Sequence, residues 1–136
     1  MINEDNFDFS FAGLKTAVIR VTRNTQHVTR KRSDLAASIQ QAIVDVLVEK
    51  TIRAAEKYKV KSILLAGGVA ANQCLREKIQ SKLSILNYQL YIPAPTLCTD
   101  NATYIASCAF FNFKPLPWKK IQANPGLSIE EGTNPV

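Results

Sequence analysis

The stretch ILLAGGVAANQCL, residues 63 to 75, decides the fold prediction. It opens with an apolar run typical of a buried parallel strand, stops at Gly67 and Gly68, and continues into a helical pattern with Leu75 and Ile79 on one side. A strand that leads through glycines directly into a helix is typical of parallel α/β sheets, where ligands bind at the carboxyl ends of the strands. The turn at the two glycines is therefore the first candidate binding site.

The segment on the amino-terminal side predicts one strand and one long helix. Phenylalanine occupies positions 7, 9 and 11, and this period of two predicts a strand over residues 7 to 12. A polar, basic loop is expected over residues 23 to 34. Apolar residues then recur every three or four positions up to Tyr58, which predicts a helix of about 25 residues with Ser33 or Asp34 as its N-cap.

The remaining segments complete an α/β pattern. A second helix is predicted over residues 70 to 83, a strand over 88 to 92, and a third helix from Thr99 or Asp100. Because a helix separates the last two strands, we expect them to pair in parallel. If strands upstream of this one are missing, the strand at 7 to 12 presents an unpaired edge, and self-association through that edge is expected.

The composition indicates a folded protein with a basic balance of charge. The 136 residues are 46% hydrophobic and 21% charged, which suits one globular domain. No apolar run approaches the roughly 20 residues that span a bilayer, so no membrane association is expected. Three cysteines without a C-x-x-C pair favour reduced thiols in a cytoplasmic protein. The net charge of +6 suits a polyanionic partner.

Two interpretations are open for the glycine turn. Without side chains, Gly67 and Gly68 let a ligand approach the main chain, and the following helix offers free N–H groups. Asn72 would then place its amide on a base, a ribose or a phosphate. The alternative is a tight strand-to-helix turn in which Asn72 is the N-cap.

The other polar candidates also have two interpretations each. Asp100 follows the last strand and is either the cap of the third helix or a metal ligand. Lys15 either faces the same cleft or is solvated, and His27 is expected to be solvated in its loop. Five basic residues are either phosphate contacts or ordinary exposed surface: Arg20, Arg23, Arg30, Lys31 and Arg32.

Three segments in this order resemble one family: FSFAGLKTA at 9 to 17, LLAGGVAAN at 64 to 72 and CTDNA at 98 to 102. They are similar to the C-terminal half of the tRNA threonylcarbamoyladenosine transferases, formerly described as O-sialoglycoprotein endopeptidases or glycoproteases. The resemblance implies an actin-like fold, with two ribonuclease-H-like lobes around a nucleotide cleft. Residues 1 to 113 would then be the C-terminal part of the second lobe, and residues 114 to 136 an irregular tail.

The resemblance also implies an activity and its site residues. The family transfers a threonylcarbamoyl group from threonylcarbamoyl-adenylate to N6 of adenosine 37 in tRNAs that read codons beginning with A, within a complex of several subunits. On the matching positions, Gly67, Gly68 and Asn72 would bind the adenylate with Lys15 nearby. Asp100 would be one ligand of a divalent iron or zinc ion. The family's His-x-x-x-His metal pair has no match here, which implies a fragment that is inactive alone.

The chain departs from the family pattern at two places. Ala12 stands where members usually have Ser, and Ala102, Thr103 and Tyr104 stand where Gly-Ala-Met is usual. Three alternatives stay open. A kinase of the same fold would share only the glycine turn, the metalloprotease of the older description lacks an H-E-x-x-H motif here, and a non-catalytic scaffold paralogue is expected to lack Asp100.

Overall fold

The computed structural model describes residues 2–24, 29–123 and 125–126, and it is of the α/β class that the sequence predicts. The chain forms two compact units, Met1–Asp100 and Asn101–Val136. The predicted domain boundary after residue 113 stays a prediction. The helices and strands of the described residues are α1 (Ala12–Asn24), α2 (Thr29–Tyr58), β1 (Ser62–Leu64), α3 (Gln73–Ile85), β2 (Gln89–Tyr91) and α4 (Ala102–Phe111), with short 3-10 helices at Gly68–Ala71, Pro95–Leu97 and Trp118–Lys120.

The sheet has two strands, and they pair in parallel as predicted. Ile63 of β1 lies opposite Leu90 of β2, and Leu64 lies opposite Tyr91. Ile63 and Leu90 face the helices, whereas Leu64 is 73% exposed and Tyr91 is 55% exposed on the other face. One face of this small sheet is therefore covered and the other is open.

The hydrophobic core lies between the helices α2 and α3 and the covered face of the sheet. Val44 and Val48 from α2 pack with residues of α3 at positions 75, 79 and 83, each of them 3% exposed or less. The α3 positions recur every four residues, so one stripe of the helix faces inward. This core fixes the position of the turn that connects β1 to α3.

The predicted strand over residues 7 to 12 is wrong. Residues 7 to 11 have no regular secondary structure, and α1 begins at Ala12. Phe7 packs instead against Tyr58, with ring centroids 5.9 Å apart, and Lys50 donates hydrogen bonds to Asn6 Oδ1 at 2.9 Å and to the carbonyl oxygen of Asp8 at 2.7 Å. Phe7 and Phe9 thus lie against α2 rather than in a sheet. Without a strand here, the argument for self-association through its edge no longer applies.

The predicted start of the long helix is also wrong. The helix α2 begins at Thr29, so Ser33 and Asp34 lie inside it and cap nothing, and the carboxyl-terminal half of the predicted loop is helical. Residues 25 to 28, with His27, lie outside the described residues. Within the described ranges, no helix is both long enough and apolar enough to cross a membrane.

Candidate functional site

The turn after β1 presents bare backbone to open space. Gly67 has a φ of 87°, a left-handed conformation that glycine adopts without strain and that other residues disfavour. A Cβ atom added at Gly67 or at Gly68 would meet no atom within 4 Å. The conformation explains glycine at position 67, and the open space means that another molecule can approach the main chain at both positions.

Asn72 is the N-cap of α3. Its Oδ1 accepts a hydrogen bond from the backbone N–H of Leu75 at 3.0 Å, so the capping interpretation is confirmed. Its Nδ2 donates a hydrogen bond to Oε1 of Gln40 on α2 at 3.2 Å. The oxygen of Asn72 thus holds the helix, and the amide nitrogen faces α2.

An open pocket of about 430 Å³ lies beside this amide. Its size is within the range of about 300 to 1,000 Å³ that is usual for small-molecule sites. Two side-chain amides, those of Gln40 and Asn72, lie among otherwise apolar lining residues. The apolar lining consists of Ala36, Ile39, Ile43, Val44, Leu47, Val69 and Leu75. An apolar or aromatic ring with polar edges suits such a lining, because the amides both donate and accept hydrogen bonds.

Asp100 is exposed and lies just before α4. The N-cap of α4 is its neighbour Asn101, whose Oδ1 accepts a hydrogen bond from the N–H of Tyr104 at 3.2 Å, so the capping interpretation of Asp100 is wrong. Among the described residues, no group of three or more His, Cys, Asp or Glu is placed to hold a metal ion. The described part of the chain therefore does not form a whole metal site, and the role of Asp100 as one metal ligand stays a prediction.

Arg76 is a residue that the sequence did not single out. From the first turns of α3, its Nε donates to the carbonyl oxygen of Ala70 at 2.5 Å, and its Nη2 donates to the carbonyl oxygen of Pro93 at 2.7 Å. The same Nη2 lies 3.1 Å from Sγ of Cys98, which is 4% exposed. The sequence alone does not distinguish a helical arginine that bonds across the fold from one that is exposed to solvent, so no pattern indicated these contacts.

Comparison with known proteins identifies the family. A family model described as tRNA N6-adenosine threonylcarbamoyltransferase matches residues 2–107. The chain belongs to this family. Curated relatives of that name in Listeria welshimeri and Listeria monocytogenes are 48% identical over 96% of this chain, and one in Bacillus cereus is 46% identical over 95%. The chain spans 40% of the length of the two Listeria relatives and 39% of the Bacillus one.

The structure brings together some, but not all, of the residues that the threonylcarbamoyltransferase resemblance implies. Gly67, Gly68 and Asn72 belong to one turn, and Asn72 lines the pocket. Arg76 connects that turn to the loop that leads to Asp100. Lys15 lies on the exposed first turn of α1, and no hydrogen bond among the described residues joins its side chain to the turn or to that loop. The role of each residue stays a prediction.

Proposed function

We propose that this chain forms the nucleotide side of the active site in an enzyme that moves a threonylcarbamoyl group from threonylcarbamoyl-adenylate to N6 of adenosine 37 in tRNA. The tRNAs are those that read codons beginning with A. The observation that carries the proposal is the position of Asn72, at the rim of an apolar pocket beside bare glycine backbone, in a member of this family.

The adenylate donor binds at this turn. Its adenine ring suits the apolar lining contributed by α2, and the amide of Asn72 is available to it if the bond to Gln40 is exchanged. The phosphate suits the open backbone at Gly67 and Gly68, where the N–H groups of a helix start favour an anion. Lys15 belongs to the donor site only if the rest of the enzyme places α1 beside it.

The reaction itself exchanges one bond to the carbamoyl carbon for another. N6 of the adenosine attacks that carbon and a C–N bond forms, while the bond to the phosphate oxygen breaks, AMP leaves and the N6 proton passes to solvent. A divalent metal, iron or zinc, would act there as a Lewis acid toward the acyl group. Asp100 would contribute one oxygen ligand, and the rest of the enzyme would contribute the others.

The wider context follows from the same function. The chain forms part of a ribonuclease-H-like lobe in an actin-like fold, and its basic charge of +6 suits the phosphates of tRNA. Three free cysteines, Cys74, Cys98 and Cys108, agree with a cytoplasmic location beside the tRNA pool. Further subunits of a modification complex complete the enzyme.

A non-catalytic scaffold paralogue is the second candidate. The presence of Asp100 favours the catalytic function over it. A kinase of the same fold and a metalloprotease have less support, because the family match extends over residues 2–107 and not over the glycine turn alone.

A transfer assay tests the proposal. The complete enzyme, with this chain joined to the rest of the family sequence and its partner subunits, should place labelled threonine on a tRNA with A37 and not on the same tRNA with G37. The 136-residue chain alone should transfer nothing, because one carboxylate cannot hold the metal. Absence of transfer by the complete enzyme would favour the scaffold, and transfer by the isolated chain would disprove the division of the site.

A further inference from the structure

We propose that Arg76 is a positioning residue that holds the donor-binding turn and the loop leading to Asp100 in one fixed arrangement. This inference rests on the proposed function and adds a residue to it. Its acceptors belong to two segments that are far apart in sequence: Ala70 lies in the turn, and Pro93 and Cys98 lie in the loop after β2. The turn and the loop also contact each other directly, and Arg76 is the residue described above whose side chain bonds to both of them.

The chemistry of arginine suits this role. The guanidinium is planar and carries its donors in a rigid fork, so acceptors that it binds at once are held at fixed directions from each other. Its half-buried position limits competition from water. A lysine at position 76 would keep the charge but would have one ammonium on a flexible stem, which does not fix three acceptors in the same way.

The buried position of Cys98 extends this restriction to Asp100, the proposed metal ligand. The Cys98 side chain lies under the loop, and Asp100 follows two residues later. A loop fixed at Cys98 leaves Asp100 little freedom relative to the turn at Asn72. The donor would bind at the turn, and the metal that acts on it would bind at Asp100. Displacement of a reacting group by about 1 Å can cost about a hundredfold in rate, so the distance between the two motifs matters for the transfer.

Hydrogen–deuterium exchange of the complete protein with AMP as the probe gives a readout that does not depend on activity. AMP lacks the threonylcarbamoyl group, so it occupies the donor turn without supplying an acyl group to the metal. In the wild type, AMP should slow exchange at residues 67 to 72 and also at the amides of residues 96 to 100. In the Arg76→Met protein, AMP should still protect 67 to 72, but the response at 96 to 100 should be lost.

Arg53→Met is the matched control. Arg53 is also a half-buried arginine, and its guanidinium binds the carbonyl oxygens of Ile2 at 2.9 Å and Glu4 at 3.2 Å. It lies on α2 and touches neither motif, so its replacement should leave the AMP response at residues 96 to 100 as in the wild type. A loss of that response in both variants would mean a general effect of removing a half-buried arginine, and it would overturn the proposal.

A kinetic measurement completes the test. Arg76→Met should lower kcat about 10- to 100-fold, while the Kd for AMP changes by less than about threefold, and Arg76→Lys should not restore the rate. A purely stabilising role would leave kcat per folded molecule unchanged at temperatures well below the melting transition.

The remaining outcomes are also decisive. If Arg76→Met does not fold, Cys98→Ala removes only the sulfur acceptor and should weaken the AMP response at residues 96 to 100, whereas Cys108→Ala should not. Persistence of the full response in Arg76→Met, or in Cys98→Ala when that variant replaces it, overturns the proposal. No protection by AMP at residues 67 to 72 of the wild type would disprove the donor site, and this inference would fall with it.

Discussion

Asp45 on α2 and Lys78 on α3 form an ion pair that joins the two helices at the edge of the core. Lys78 Nζ donates a hydrogen bond to Asp45 Oδ1, and Gln41 Nε2 donates another to the same oxygen at 2.7 Å. The hydrogen bond from Lys78 is the main reason that the pKa of Asp45 lies below its ordinary value, although partial burial acts in the opposite direction. The side chains are 37% and 32% exposed, so solvent screens the pair.

This ion pair should make stability depend on pH in the acid range. A lowered pKa in the folded state stabilises the protein above the unfolded value of about 3.9, and this contribution is lost as the pH falls through the folded value. Asp45→Asn should therefore be less stable than the wild type by up to about 1 kcal/mol at pH 7, and the difference should shrink below pH 4. Urea unfolding of both proteins between pH 3 and pH 7 measures it, and a difference that does not change with pH would contradict the assignment.

Lys50 should contribute more through its packing than through its charge. It is fully buried and donates to Asn6 and Asp8, two exposed residues whose acceptors water can reach if the lysine is replaced. Lys50→Met should change the free energy of unfolding by less than about 1.5 kcal/mol, because methionine fills similar space. Lys50→Ala should destabilise by about 2 to 4 kcal/mol, because it leaves a cavity. Equal losses in urea titrations of the two variants would show that the hydrogen bonds dominate.

The sequence predicted the elements that local patterns determine. Both observed strands, the parallel pairing and the cap at Asn72 follow from short apolar runs, glycines and an amide at a helix start. The prediction of a strand over residues 7 to 12 was wrong because alternating aromatic residues form a strand only when a partner strand is present. Phe7 packs against Tyr58 on α2 instead. A period of two identifies a face but not the surface that covers it.

The candidate site was predictable only in part for a similar reason. Chemistry that depends on residue type, such as glycine at a positive φ or a capping asparagine, leaves a mark in the sequence. Contacts across the fold do not: nothing near Arg76 indicates that its guanidinium reaches Pro93 and Cys98. The predicted cap was Asp100 and the observed cap is Asn101, a difference of one residue that sequence patterns do not resolve.

Asn72 should have two separable roles in the complete enzyme. Asn72→Ala removes both the capping oxygen and the amide donor, so it should lower stability by about 1 kcal/mol and weaken AMP binding by about 1 to 3 kcal/mol, about 5- to 150-fold in Kd. Asn72→Ser restores a capping oxygen but not the donor, so stability should return while AMP binding stays weak. Melting curves and calorimetric titration with AMP measure the two effects. Recovery of AMP affinity in the serine variant would mean that Asn72 acts only as a cap.

Asp100 and its neighbour Asn101 offer a test of the metal ligand within one dipeptide. In the complete enzyme, Asp100→Ala should lose the metal and most of the turnover, because a carboxylate ligand is gone. Its effect on stability in the metal-free protein should be smaller than that of Asn101→Ala, since Asn101 and not Asp100 caps α4. Asn101→Ala should destabilise by about 1 kcal/mol and keep its metal.

Elemental analysis of the purified variants and melting curves in the presence of a chelator separate these effects. The chelator matters because metal binding itself stabilises the folded state, so a loss of metal in Asp100→Ala would otherwise lower the melting temperature and resemble the loss of a cap. Full metal content in Asp100→Ala would show that Asp100 is not a metal ligand. Loss of metal in Asn101→Ala alone would mean that the structure of the helix start, and not the carboxylate, holds the ion.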